Sequence, residues 1–82
     1  TNIITAANYA DTTTAHKVYI RNVSTTTSDF ITVELGSGNV VLGRLYGGDW
    51  AFLPWDGVND IDIDTNAAMT VEYAIFSQSA AT

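Results

Sequence analysis

Five consecutive residues, Asp60-Ile61-Asp62-Ile63-Asp64, alternate between carboxylate and isoleucine without a break. Only an extended strand, whose side chains point to opposite faces with a period of two, keeps the two kinds of residue apart. The isoleucine face has to be covered by a second layer of structure. The same period recurs elsewhere. Lys17 to Asn22 places Val18 and Ile20 on one face, with Lys17, Tyr19 and Arg21 on the other. Phe30 to Leu35 turns Ile31, Val33 and Leu35 inward, and Thr32 and Glu34 outward. No window shows a 3.6-residue apolar period, and β-branched residues are dense.

Turn residues divide the rest of the chain. Asn2 to Thr5 reads as a short edge strand. Ala6 to Ala15, with its Thr12-Thr13-Thr14 run, reads as a loop or extended arm, and Val23 to Asp29 as a Ser/Thr-rich loop. Gly36-Ser37-Gly38-Asn39 is the strongest turn signal, returning the chain through Val40 to Tyr46. Gly47-Gly48-Asp49 turns it again into Trp50 to Leu53, a strand that Pro54 is expected to end because proline donates nothing to a ladder. Asp56-Gly57 and Asn66 to Ala68 are further turns, with Met69 to Phe76 as the last strand. The expected fold is all-β: six to seven short strands in a compact antiparallel β-sandwich of jelly-roll type, or in a small barrel. Residues 1–82 read as one domain, with 1–15 as an N-terminal arm and 77–82 as a polar tail.

A domain this small buries only about 60% of the surface its unfolded chain exposes. Its 82 residues include no cysteine, so disulfides and thiolate metal sites are excluded, and a bound cation or oligomerisation remains as a means of support. The formal charge is 3 − 9 = −6. Lys17, Arg21 and Arg44 do not make a phosphate track, which argues against nucleic acid and anionic membranes as partners. No apolar run approaches a membrane span of roughly 20 residues. No basic-then-apolar leader pattern opens the sequence at Thr1.

Tyr46 to Trp55 holds both tryptophans, the only proline and four of the nine aromatic residues. Rings dominate burial in a small core, so Trp50 and Phe52 are expected inside, with Tyr46 and Trp55 capping the open end. The competing reading makes Tyr19, Tyr46, Trp50 and Trp55 a platform for a protein partner or a sugar.

Asp56, Asp60, Asp62 and Asp64 lie within nine residues. On a strand the last three share a face at intervals of about 6.6 Å. With Asn59 they are candidate Ca²⁺ ligands if a second strand contributes oxygens; the plainer reading is a solvated face that discourages edge pairing. His16, the only histidine, has no nucleophile motif around it and reads as surface. Asn22-Val23-Ser24 matches a glycosylation sequon, but Asn22 is expected to end a strand and satisfy turn backbone. No catalytic constellation and no phosphate-binding glycine loop is present, so neither enzymatic activity nor a cofactor is expected.

The succession K-V-Y-I-R-N-V-S, F-I-T-V-E-L, G-R-L-Y-G-G-D-W-A-F-L-P-W and T-V-E-Y-A-I-F resembles small virion structural proteins of tailed bacteriophages, especially capsid decoration or cement proteins. The likeness covers roughly Val18 to Phe76. It implies a non-enzymatic, homo-oligomeric subunit on the particle exterior, contacting the major capsid or other virion proteins. The alternative is a carbohydrate-binding or receptor-binding β-sandwich module of a tail or head fibre.

Overall fold

The computed structural model describes residues 2–5, 14–36 and 38–79, without the side chains of 14, 15 and 77–79. Residue 1, residues 6–13 of the loop expected over Ala6 to Ala15, Ser37 of the turn and residues 80–82 of the tail lie outside the described residues. Seven strands follow in order: β1 (Asn2–Ile4), β2 (Thr14–Asn22), β3 (Phe30–Leu35), β4 (Val40–Tyr46), β5 (Trp50–Trp55), β6 (Ile61–Thr65) and β7 (Val71–Ser79). They form a four-stranded sheet, β1-β6-β3-β4, and a three-stranded sheet, β5-β2-β7, every pairing antiparallel. The sheets pack as an open sandwich and do not close into a barrel.

The alternation read from the sequence builds the core. Val18 and Ile20 of β2 meet Ile31 and Val33 of β3, Ile61 and Ile63 of β6 and Ile4 of β1, all buried in one cluster. Each fully buried aliphatic side chain contributes about 1.5–3 kcal/mol relative to exposure. Central strands supply most of these residues because only they are covered on both edges. β4 is an edge strand, and Val40, Val41 and Leu42 in it are exposed. A bulge lies between the pairs Val33–Gly43 and Glu34–Val41, so β4 carries one residue more than β3 there.

Several expected ends shift. β2 begins at Thr14, so the last two residues of the expected loop pair with β7. Pro54 does not end β5, which runs on to Trp55; β5 is an edge strand, where a missing N–H costs no ladder bond. The last strand continues through Ser79, so the first three residues of the expected tail pair with β2.

Asn22 joins the layers. Its side chain is fully buried. Nδ2 donates to the Leu45 carbonyl at 3.0 Å, and Oδ1 accepts the Ser24 N–H at 3.0 Å. Its main chain accepts from Gly48 N–H at 2.8 Å and donates to the Asp49 carbonyl at 3.0 Å. This is the expected backbone-satisfying role, and it leaves the sequon asparagine without solvent access. The β4–β5 turn is thereby clamped to the end of β2. Gly48, with φ 89°, takes the left-handed position of that turn, closed by Asp49 N–H to the Tyr46 carbonyl at 2.8 Å.

Candidate interaction surface

Antiparallel partners share a face, so register decides which aromatics are outside. Arg21 is opposite Trp50 and Glu72, Tyr19 opposite Phe52 and Ala74, and Lys17 opposite Pro54 and Phe76. All nine residues project from the outer side of β5-β2-β7. Trp50 is 64% exposed, Phe52 52% and Phe76 54%. The expectation that Trp50 and Phe52 fill the core is therefore corrected. Val18 and Ile20 take the inner face of β2, which commits their partners Leu53 and Ala51 inward and the rings outward.

The outer face is organised. Phe52 and Phe76 approach with ring centroids 5.9 Å apart at 54°, a tilted contact of the favourable kind. Tyr19, half-buried between the flanking strands, donates its hydroxyl to Glu72 Oε1 at 3.1 Å. Partial desolvation first, then the Glu72 carboxylate, push its phenol pKa upward. Lys17 and Arg21, two of the chain's three basic residues, border the rings. Tyr19, Arg21, Gly48 and Trp50 line an open depression of about 510 Å³.

The expected platform of four rings is not one surface. Tyr19 and Trp50 share the face just described. Tyr46 is on the outer side of the other sheet, packed on Phe30 with centroids 5.5 Å apart. Arg44 lies 4.2 Å over that Phe30 ring. Trp55 is 5% exposed, on the inner side, where its ring stands 5.4 Å from His16. His16, expected at the surface, is buried because its parity is that of Val18 and Ile20. Lys17, Arg21, Phe52 and Phe76 also belong to the surface and were not named as interface residues from sequence. The outward Lys17-Tyr19-Arg21 face was the signal, once β5 and β7 are placed on either side of it.

The four carboxylates proposed for Ca²⁺ do not converge. Asp56 accepts from Val58 N–H at 2.9 Å, Asn59 N–H at 3.1 Å and Asn59 Nδ2 at 2.7 Å, within its own turn. These bonds hold its carboxyl below the usual range. Asp60 accepts from Asn2 Nδ2 at 3.1 Å. Asp62 and Asp64 lie on the outer face of the four-stranded sheet, opposite Glu34 and Thr32. Among the described residues no group of three or more His, Cys, Asp or Glu is arranged to hold a metal ion. What gathers there is repulsion: burial first, then Asp64 and Asp62, raise the Glu34 carboxyl above its ordinary value. The outer face of β5-β2-β7 is thus aromatic and bordered by cations, whereas that of the other sheet is acidic along β3 and β6, with Phe30, Tyr46 and Arg44 gathered at one end.

No protein-family model matches the chain, and no curated protein or solved structure is significantly similar to it.

Proposed function

We propose that this chain is a non-enzymatic structural subunit that docks onto a protein partner through the outer face of β5-β2-β7. The observation that carries the reading is the exposure of Trp50, Phe52 and Phe76 together on one sheet face beside Lys17 and Arg21. Leaving three large rings in water is unfavourable for a small domain, and contiguous aromatic patches bordered by charge favour protein contacts. The resemblance to phage decoration proteins supplies the setting: the exterior of a virion, with the major capsid protein or another virion protein as partner. The net charge of −6 suits a surface turned away from packaged nucleic acid. The test is co-sedimentation with shells assembled from the major capsid protein of the same particle. Native chain should pellet with the shells, and the Trp50→Ala/Phe52→Ser double variant should stay in the supernatant. Equal behaviour of the two chains removes the proposal.

A second reading, a sugar-binding module of a fibre, draws on the depression lined by Tyr19, Arg21, Gly48 and Trp50. An exposed indole beside a guanidinium offers stacking and hydrogen bonding to one sugar ring. A glycan array without hits, together with unchanged tryptophan emission on adding sugars, eliminates it.

A further inference from the structure

The outward residues of β5-β2-β7 form an array with Tyr19 at its centre. Lys17 is flanked by Pro54 and Phe76, Tyr19 by Phe52 and Ala74, and Arg21 by Trp50 and Glu72. Phe52 and Phe76 belong to strands on opposite sides of β2, yet their rings meet across it. They make an apolar ridge with Lys17 on one side and Arg21 on the other. The two cations stand four residues apart on β2, about 13 Å at roughly 3.3 Å per residue.

Both cations are exposed. Lys17 has no carboxylate opposite it on either neighbouring strand. Arg21 has Glu72 opposite, but Glu72 Oε1 accepts the Tyr19 hydroxyl at 3.1 Å, and a guanidinium has several N–H donors to share. The array thus holds two cations and one carboxylate, on a chain whose net charge is −6. Glu34, Asp62 and Asp64 are on the outer face of the other sheet, and the Asp49 carboxylate accepts the Tyr46 N–H. Beyond the ridge, beside Arg21, lies the depression lined by Tyr19, Arg21, Gly48 and Trp50. Gly48 leaves its rim open, with nothing within 4 Å of where a Cβ would stand. An indole next to a guanidinium suits a carboxylate-bearing side chain: its methylenes lie on the ring and its oxygens meet the arginine fork.

We propose that the partner of this face is an acidic protein segment with an apolar side chain between two carboxylates. An extended strand with carboxylates at i and i+4 places them about 13 Å apart, and its residue i+2 points the same way. One carboxylate enters the depression and pairs with Arg21, the other pairs with Lys17, and the apolar side chain rests on the Phe52–Phe76 ridge. Charge complementarity selects this occupant. A basic segment sets its own cations against Lys17 and Arg21, and a neutral one covers both without pairing them, at a cost in desolvation. The proposal rests on the face being a protein-docking surface and adds the chemistry of what docks there.

Heteronuclear NMR spectra of the native chain, titrated with the peptide acetyl-Thr-Glu-Thr-Leu-Thr-Glu-Thr-amide, test it. The Trp50 indole N–H should shift saturably, while the buried Trp55 indole N–H stays in place. The same peptide with glutamine in place of glutamate should bind about tenfold more weakly. The Lys17→Gln/Arg21→Gln variant, with unchanged circular dichroism, should lose about as much affinity for the glutamate peptide. Equal affinity for the two peptides overturns the proposal, as does an unmoved Trp50 signal. The shell assay separates this from the docking reading. Shells that release the Trp50→Ala/Phe52→Ser variant but hold Lys17→Gln/Arg21→Gln as tightly as native chain leave the docking face standing and remove its acidic partner. A peptide that shifts Trp50 while shells fail to bind the native chain keeps the acidic partner and removes the shell.

Discussion

The indole N–H of Trp55 donates to the carbonyl oxygen of Asn59 across 2.7 Å. The bond ties the last residue of β5 to the turn that begins β6, a turn already closed by Asp56. Trp55 thus fills the end of the core and fixes the path of the chain between the two sheets.

The two tryptophans are accordingly opposites. Trp55→Ala should cost about 3–5 kcal/mol, a large part of the stability of an 82-residue domain, roughly 4–12 kcal/mol. Trp50→Ala should change stability by no more than about 0.5 kcal/mol. Urea unfolding measures both. Emission offers an independent check: Trp50→Phe should leave a blue-shifted tryptophan shielded from acrylamide, and Trp55→Phe a red-shifted, quenchable one. The reverse pattern would place the wrong ring in the core.

Asn22 is a second position where burial makes a polar side chain costly to remove. Asn22→Ala strands the Ser24 N–H, at about 1–3 kcal/mol, and removes the side-chain donor from the Leu45 carbonyl, which keeps its ladder bond to Ile31. A loss of about 1–3 kcal/mol in urea is expected, with m unchanged. Because the side chain is fully buried, the chain secreted from a eukaryotic host should carry no glycan at Asn22, which intact-mass measurement reads directly. A glycosylated and folded product contradicts the clamp between β2 and the β4–β5 turn.

Much of this was legible, and what was not has a physical reason. Lys17 to Asn22, Phe30 to Leu35 and Asp60 to Asp64 alternate, so each declares its buried face, and the core follows from them. Trp50-Ala51-Phe52-Leu53-Pro54-Trp55 is apolar at both parities. Size favoured the rings for the core; register with β2 gave the inner face to Ala51, Leu53 and Trp55 instead. Val40-Val41-Leu42 has no alternation either, and its edge position comes from the strand order, a non-local property. The carboxylates were seen, but their separation into a turn, a link to β1 and an outer sheet face depends on where β6 lies.

Acid should act on the fold in two opposite ways. Glu34 has a raised folded pKa, so the native state holds its proton more tightly than the unfolded chain does. Its contribution is fully present below the ordinary glutamate range and is lost as pH rises through the folded value. Asp56 has a lowered folded pKa. Its contribution is present above the ordinary aspartate range and is lost as pH falls through the folded value. The melting temperature should therefore peak at mildly acidic pH. Glu34→Gln should flatten the decline on the neutral side, and Asp56→Asn the decline on the acid side. Melting curves that are superimposable for Glu34→Gln and native chain from acid to neutral pH would exclude the carboxylate repulsion around Glu34.

The glycines of the β4–β5 turn separate crowding from backbone strain. A Cβ on Gly47 would stand 2.4 Å from the Thr26 carbonyl oxygen and 2.9 Å from that of Ser24, both main-chain atoms that cannot swing aside. Gly47→Ala should push the 24–26 segment off the turn and cost about 2–3 kcal/mol. It should also loosen the Gly47 N–H bond to Asp29, exposing that amide to exchange. Gly48 has open space around its Cβ position but φ of 89°, so Gly48→Ala should cost only the left-handed penalty of about 1–2 kcal/mol. Gly38 has neither constraint, and alanine there should be neutral or stabilise by up to about 1 kcal/mol through the unfolded chain. The expected order of urea midpoints is Gly38→Ala highest, Gly48→Ala between and Gly47→Ala lowest. Equal midpoints for the Gly47 and Gly38 variants would mean that the Ser24–Thr26 backbone does not press on the turn, and the clamp built on Asn22 would lose its second contact.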